Sequence, residues 1–164
     1  MKASIPFSIA MIFLLLSAPA LAVEDRLPAW QKAGARLLSA VAPNVGVLTL
    51  EAASISRDPQ VVRAYENDPL VHHGSIPART AVELLDATRT FDAQARRLTV
   101  PVLVMHGTAD RLVPLAANRP LYERLGNPKQ RTLRIYEGLF HEAYNEPERE
   151  QVFADLEAWI EHHR

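Results

Sequence analysis

Apolar residues along this chain fall into runs of two different spacings. Residues 100–105 (Val-Pro-Val-Leu-Val-Met) are apolar almost without interruption, the pattern of a strand buried on both faces, and residues 132–136 read as a second strand. Between them, residues 115–125 read as a helix closed by Gly126. Upstream, residues 79–98 place Ala81, Leu84, Leu85, Thr88, Phe91 and Ala95 at a spacing near 3.6, which predicts one amphipathic helix covering the face of a sheet. A last helix is predicted over residues 148–161, with Pro147 at its start and Val152, Phe153, Leu156, Trp159 and Ile160 on one face. Residues 23–70 differ. They are rich in alanine, leucine and proline, with helical patches at 30–41 and 59–65 broken by Pro28, Pro43 and Pro59, the pattern of an irregular helical insertion.

The N-terminus supports two readings. Met1-Lys2, the apolar run at residues 9–16 and the Ala20-x-Ala22 site fit a secretory signal. The run is too short for a bilayer span, which needs about 20 apolar residues in a helix. The same residues, 13–20, fit a buried parallel strand that leaves its sheet at a Pro-containing loop. Periodicity does not separate the two.

Alternating strands and helices imply an α/β fold with a parallel sheet and right-handed crossovers, so the carboxyl ends of both late strands open on the same side. Ligands of such sheets bind there. The first strand runs into Met105-His-Gly-Thr-Ala-Asp110 and the second into Tyr136-Glu-Gly-Leu-Phe-His141. Two strands ending in glycine turns, one presenting a carboxylate and the other an imidazole, are the parts of an orienting acid and a general base. The simpler reading of Asp110 is a turn or cap residue, and of His141 a structural histidine near a helix start. A serine nucleophile would sit in a G-x-S-x-G turn, and no two of the six glycines (34, 46, 74, 107, 126 and 138) lie four positions apart. Seven serines precede Asp110; Ser17 lies in a strand-like run and Ser75 follows Gly74 without the second glycine.

Composition narrows the picture from the other side. With 48% hydrophobic and 23% charged residues the 164-residue chain suits one globular domain, and a net charge of -1 gives no reason to expect nucleic acid. Absence of cysteine removes disulfides and thiolate chemistry and leaves the compartment open. His141-Glu142 begins like a zinc-binding H-E-x-x-H, but Asn145 stands where the second histidine belongs, so no metal and no cofactor is called for. His72-His73 and His162-His163 read as solvated side chains.

His106-Gly-Thr-Ala-Asp110-Arg-Leu-Val-Pro114 resembles the acid-bearing loop, and Tyr136-Glu-Gly-Leu-Phe-His141 the histidine loop, of the α/β-hydrolases. The resemblance is to the monoacylglycerol lipase and lysophospholipase group, also called serine aminopeptidase S33 or hydrolase-4. Ser56-Arg-Asp-Pro-Gln60 and Tyr65-Glu-Asn-Asp-Pro-Leu70 resemble its lid, and Leu16-Ser-Ala-Pro-Ala20 resembles the strand leading into that lid. The resemblance begins near Leu14 and reaches the C-terminus.

It implies the C-terminal portion of an α/β-hydrolase: about three parallel strands with flanking helices and a helical lid segment. The division expected is 1–22 as a signal-like segment or buried strand, 23–78 as the lid-like insertion and 79–164 as the hydrolase portion. Asp110 and His141 would be the triad acid and base of an ester hydrolase acting on lipid monoesters or other small esters. The family's first five strands, oxyanion-hole loop and nucleophile elbow are not in this sequence, which implies a truncated chain, inactive alone. Two alternatives are a non-enzymatic lipid-binding or interaction module, for which apolar residues 37–50 could line an acyl pocket or simply pack as core, and a full-length lipase whose start is misplaced. An open edge at residues 14–20 invites self-association or a complementing chain. A core strand at 14–20 favours a cytoplasmic protein; a cleaved 1–22 segment favours a secreted or periplasmic one.

Overall fold

The computed structural model describes residues 12–21, 28–89 and 91–163. In chain order these form β1 (Leu14–Ser17), α1 (Ala29–Val41), β2 (Gly46–Leu48), α2 (Pro59–Asn67), β3 (Ile76–Pro77), α3 (Ala78–Arg89) and α4 (Phe91–Ala95), followed by β4 (Val102–Gly107), α5 (Leu115–Tyr122), β5 (Arg131–Tyr136) and α6 (Arg149–His162). The main sheet is parallel in the order β1-β4-β5, with Leu14 opposite Val102 at one end and Gly107 opposite Tyr136 at the other. Residues 14–17 are thus a sheet strand. The basic start and Ala22 of the signal-like reading lie outside the described residues.

Every residue of β4 is buried, because both its edges are paired and both its faces covered. Side chains alternate between the two faces. Leu103 and Met105 point toward α6 and pack with Leu139, Ala143, Val152 and Trp159. Val102 and Val104 point the other way, toward Ala95, Tyr122 and Leu125. The indole N–H of Trp159 donates to Thr132 Oγ1 at 2.9 Å, tying α6 to β5. Phe153 stands on the rim of the α6 stripe and is 43% exposed.

The helix expected over 79–98 is two helices. α3 packs on α1 and on the small antiparallel pair β2–β3, away from the main sheet, and Arg36 bridges to Asp86 at 2.7 Å between the two helices. Its inward residues are Ala78, Val82 and Leu85, while Leu84 is 46% exposed. Phe91, Ala95 and Leu98, in and beyond α4, are the described residues of this stretch that pack in the core against the main sheet. The periodicity identified an amphipathic helix correctly but not the surface its apolar stripe would meet. α5 likewise ends at Tyr122, short of the expected Leu125, and Gly126 follows with φ +51° and donates its N–H to Ala95 O at 2.9 Å. α2 begins where Asp58 Oδ1 accepts from Gln60 N–H at 2.8 Å with Pro59 in the first turn.

The lid-like segment is open rather than packed as core. Leu37, Val41, Val45, Val47, Leu48 and Leu50 are all exposed. His163, expected in solvent, stacks on Trp159 with ring centroids 4.1 Å apart.

Leu103 has no exposed surface and sits at the centre of the α6-side core. Leu103→Ala is expected to lower the unfolding free energy by about 2–5 kcal/mol through lost burial and a residual cavity, read as a lower urea midpoint at unchanged slope.

Candidate active site

β4 and β5 run side by side and deliver their carboxyl-terminal loops to the same place. Thr108 N–H donates to Tyr136 O at 2.9 Å, Ala109 N–H to Leu139 O at 3.0 Å, and Gly138 N–H to Thr108 Oγ1 at 2.8 Å. Gly107 is required by this crossing, since a Cβ there would overlap the Leu139 carbonyl. Gly138 turns the second loop with φ +76°, a conformation that side chains disfavour.

Asp110 uses its two oxygens differently. Oδ1 accepts from the backbone N–H groups of Leu112 at 2.9 Å and Val113 at 2.8 Å, the self-turn typical of aspartate. Oδ2 lies 2.8 Å from His141 Nδ1 and 3.1 Å from His106 Nε2. One side chain thus makes both the turn bonds and the contact with His141. His106 has no exposed surface. Its Nε2 also faces the Val113 carbonyl at 2.8 Å, and since a carbonyl only accepts, Nε2 carries a proton. Nδ1 lies 3.0 Å from the Tyr122 hydroxyl, which donates to Pro19 O at 2.7 Å. Asn118 Oδ1 accepts from Leu21 N–H at 2.8 Å. The turn after β1 is thereby tied to α5 and, through Tyr122 and His106, to Asp110.

Burial alone would push the Asp110 carboxyl up. Hydrogen bonds from His106, His141 and the Val113 N–H override it and hold the group well below the usual carboxylate range. The bond to Asp110 raises His141 above the ordinary histidine value, against partial burial, with further help from the charges of Asp110 and Glu142. Burial and the nearby Asp110 charge raise the Tyr122 phenol, keeping it a neutral donor. His141 is 28% exposed, and its Nε2 makes no hydrogen bond among the described residues. With Nδ1–H given to Asp110, Nε2 presents a lone pair outward, as a general base requires.

No described serine reaches that nitrogen. Ser17 ends β1 opposite Met105, Ser75 pairs with Thr49 at 2.8 Å, Ser54 leans on Glu51 and Ser56 donates to Asn145 O at 2.8 Å. Ser39 is buried in α1, and Ser4 and Ser8 lie outside the described residues. An open, mostly apolar cleft of about 470 Å3 is lined by Phe140, the neighbour of His141 in sequence, and by Ala53, Ser56, Arg57, Pro59, Val62 and Arg63.

A parallel sheet between helices, with strand-end loops that meet at the carboxyl edge, defines the C-terminal portion of an α/β-hydrolase. The family model for serine aminopeptidase S33 matches residues 9–148, and the chain belongs to that family. It is 41% identical over 150 residues to a monoacylglycerol lipase of Mycolicibacterium smegmatis, covering 92% of this chain and 53% of the relative. It is 31% identical to the monoglyceride lipase of Rattus norvegicus, covering 91% and 50%. The crystal structure of Paleococcus ferrophilus monoacylglycerol lipase superposes with a TM-score of 0.78 at 30% identity, over 93% of this chain and 59% of that one. The chain spans about half the length of the curated relatives it matches.

Sequence reasoning singled out Asp110 and His141 and passed over His106, Tyr122, Arg57 and Glu146. His106 carried a signal: it is the one ionisable residue in a six-residue buried strand. Glu146 carried none, since nothing local distinguishes it from its exposed acidic neighbours.

Because His141 is raised in the folded state, its contribution to stability is complete below the ordinary histidine range and is lost as pH rises through the raised value. Asp110, held low, contributes above the ordinary carboxylate range and is lost as pH falls through its depressed value. Asp110→Asn is expected to lower the His141 titration midpoint, measured from the imidazole proton resonances; an unchanged midpoint in a folded variant would show that the pair is not formed in solution.

Proposed function

We propose that this chain is the acid–base part of a serine ester hydrolase for lipid monoesters, with Asp110 orienting His141 and no nucleophile of its own. The observation that carries this reading is the 2.8 Å contact of His141 Nδ1 with a buried Asp110, which leaves Nε2 directed outward. With a serine hydroxyl presented to Nε2, the imidazole would take its proton as the oxygen attacks the ester carbonyl. The imidazolium, stabilised by Asp110, would then return the proton to the departing alcohol. The apolar cleft beside Phe140 suits an acyl or glyceryl chain. The names of the most similar relatives support the substrate class. No G-x-S-x-G segment occurs in the 164 residues, so an oxyanion hole and nucleophile elbow would have to come from elsewhere.

The folded chain alone is expected neither to react with a fluorophosphonate probe nor to hydrolyse p-nitrophenyl butyrate. Covalent labelling, with turnover abolished by His141→Ala, would identify an unrecognised nucleophile and overturn the reading of a chain inactive by itself. In a hydrolase completed by an elbow-bearing half, Asp110→Asn should lower kcat by about 10⁴-fold, the scale of losing the imidazole's correct tautomer.

A second reading is favoured by the outer edge of β1, which pairs with no strand among the described residues, and by the exposed apolar side chains of α1 and β2. Such a surface suits an interaction module, completed by a neighbouring chain or a second copy. Light scattering coupled to size exclusion is then expected to give a mass that rises with concentration from 1 to 100 µM, on the order of typical assay concentrations for weak interfaces; a constant monomer mass excludes the second copy.

A further inference from the structure

The backbone that carries His141 is held from a direction that the acid loop does not supply. Glu146 has no exposed surface, and its carboxylate accepts three hydrogen bonds. Oε1 takes the Phe140 N–H at 2.9 Å and the Arg57 N–H at 3.2 Å, while Oε2 takes Arg57 Nε–H at 2.8 Å. The outer end of the same guanidinium pairs with Glu148. On either side of this pair, Ile55 O accepts from Glu142 N–H at 2.8 Å, and Ser56 Oγ donates to Asn145 O at 2.8 Å while accepting from Asp58 N–H at 3.0 Å. The amide before His141 and the amide after it are therefore both fixed by residues 55–57 or by the carboxylate those residues hold.

We propose that Arg57 and Glu146 are a positioning pair for His141, clamping residues 55–58 onto the histidine loop so that the imidazole is aimed before any substrate arrives. Neither touches a reacting atom. A buried carboxylate without donors would be costly, and Glu146 meets that requirement with donors from both segments it joins. Two of the three bonds hold Arg57 and the third holds the Phe140 N–H, so one buried carboxylate joins residue 57 directly to the amide that precedes His141. The titratable groups around the imidazole are Asp110, Glu142 and, through Asp110, His106; Arg57 and Glu146 act on it through backbone. This deepens the proposed function, since aim matters only if His141 is a base, but its readout is spectroscopic and stands apart from turnover.

In the full chain, Arg57→Ala is expected to abolish the downfield Nδ1–H resonance of His141 and to move its titration midpoint down toward the ordinary histidine value. Arg57→Lys should restore part of both. Arg119→Gln, which removes an exposed ion pair with Glu123 on α5, should change neither. A folded Arg57→Ala protein with the parent's resonance and midpoint would overturn the assignment. Should that variant not fold, Glu146→Gln keeps the acceptor for Phe140 and removes the charge, and the same readouts apply. Hydrogen exchange in the unaltered chain supplies a further check: the Phe140 and Glu142 amides should be protected well beyond exposed loop amides, and free exchange at either overturns the clamp. Failure of the esterase reading with these results intact would leave a fixed histidine in search of another reaction.

Discussion

β4 is the constraint from which the rest follows. Its six residues are buried, all six pair with β5 and the first four pair with β1 as well, so its position is set by β1, β5 and the helices above and below at once. A strand so enclosed leaves its carboxyl end little freedom, and the loop to Asp110 inherits that rigidity through Gly107, which passes against the Leu139 carbonyl. Alternation along the strand then decides what Asp110 meets. Val102, Val104 and His106 share one face, so the polar member arrives beneath α5, within reach of Tyr122 and the carboxylate.

Asp110 is a buried anion, and removing such a charge from water without compensation costs several kcal/mol. Compensation here is fourfold: two backbone N–H groups on Oδ1 and two imidazole nitrogens facing Oδ2. Of the two imidazoles, only His141 reaches solvent. His141 can thus exchange its proton with solvent while the two backbone N–H groups and His106 keep the carboxylate in place. A carboxylate that also closes the turn of its own loop is held in place whether the imidazole beside it gains or loses a proton.

Much of this was legible in the sequence, and the unread parts share a cause. The apolar run at 100–105 fixed β4 because a doubly buried strand has a composition no surface element shares, and the glycine turns after both strands marked where Asp110 and His141 stand. Local pattern failed wherever the answer depended on which distant surface an element meets. α3 shows the correct period yet lies on α1, leaving Leu84 in solvent. Residues 37–50 are apolar enough for a core, yet Leu37, Val41, Val45, Val47, Leu48 and Leu50 are exposed. Glu146 is buried because Arg57, far away in sequence, reaches it, and no window around either residue contains that fact.

The atoms that hold the acid and the imidazole together come entirely from this chain. Backbone from 112–113, side chains from His106 and Tyr122, the turn at Pro19, and the strap from 55–58 all lie within the described residues. The chain spans about half the length of the curated relatives it matches, and the Nδ1 contact with Asp110 is made within it. On the function proposed above, a hydroxyl before Nε2 and donors around the carbonyl oxygen are also required, interactions with no counterpart among the described residues. Preorganisation of the base and supply of the nucleophile are thus separable physical tasks in this fold.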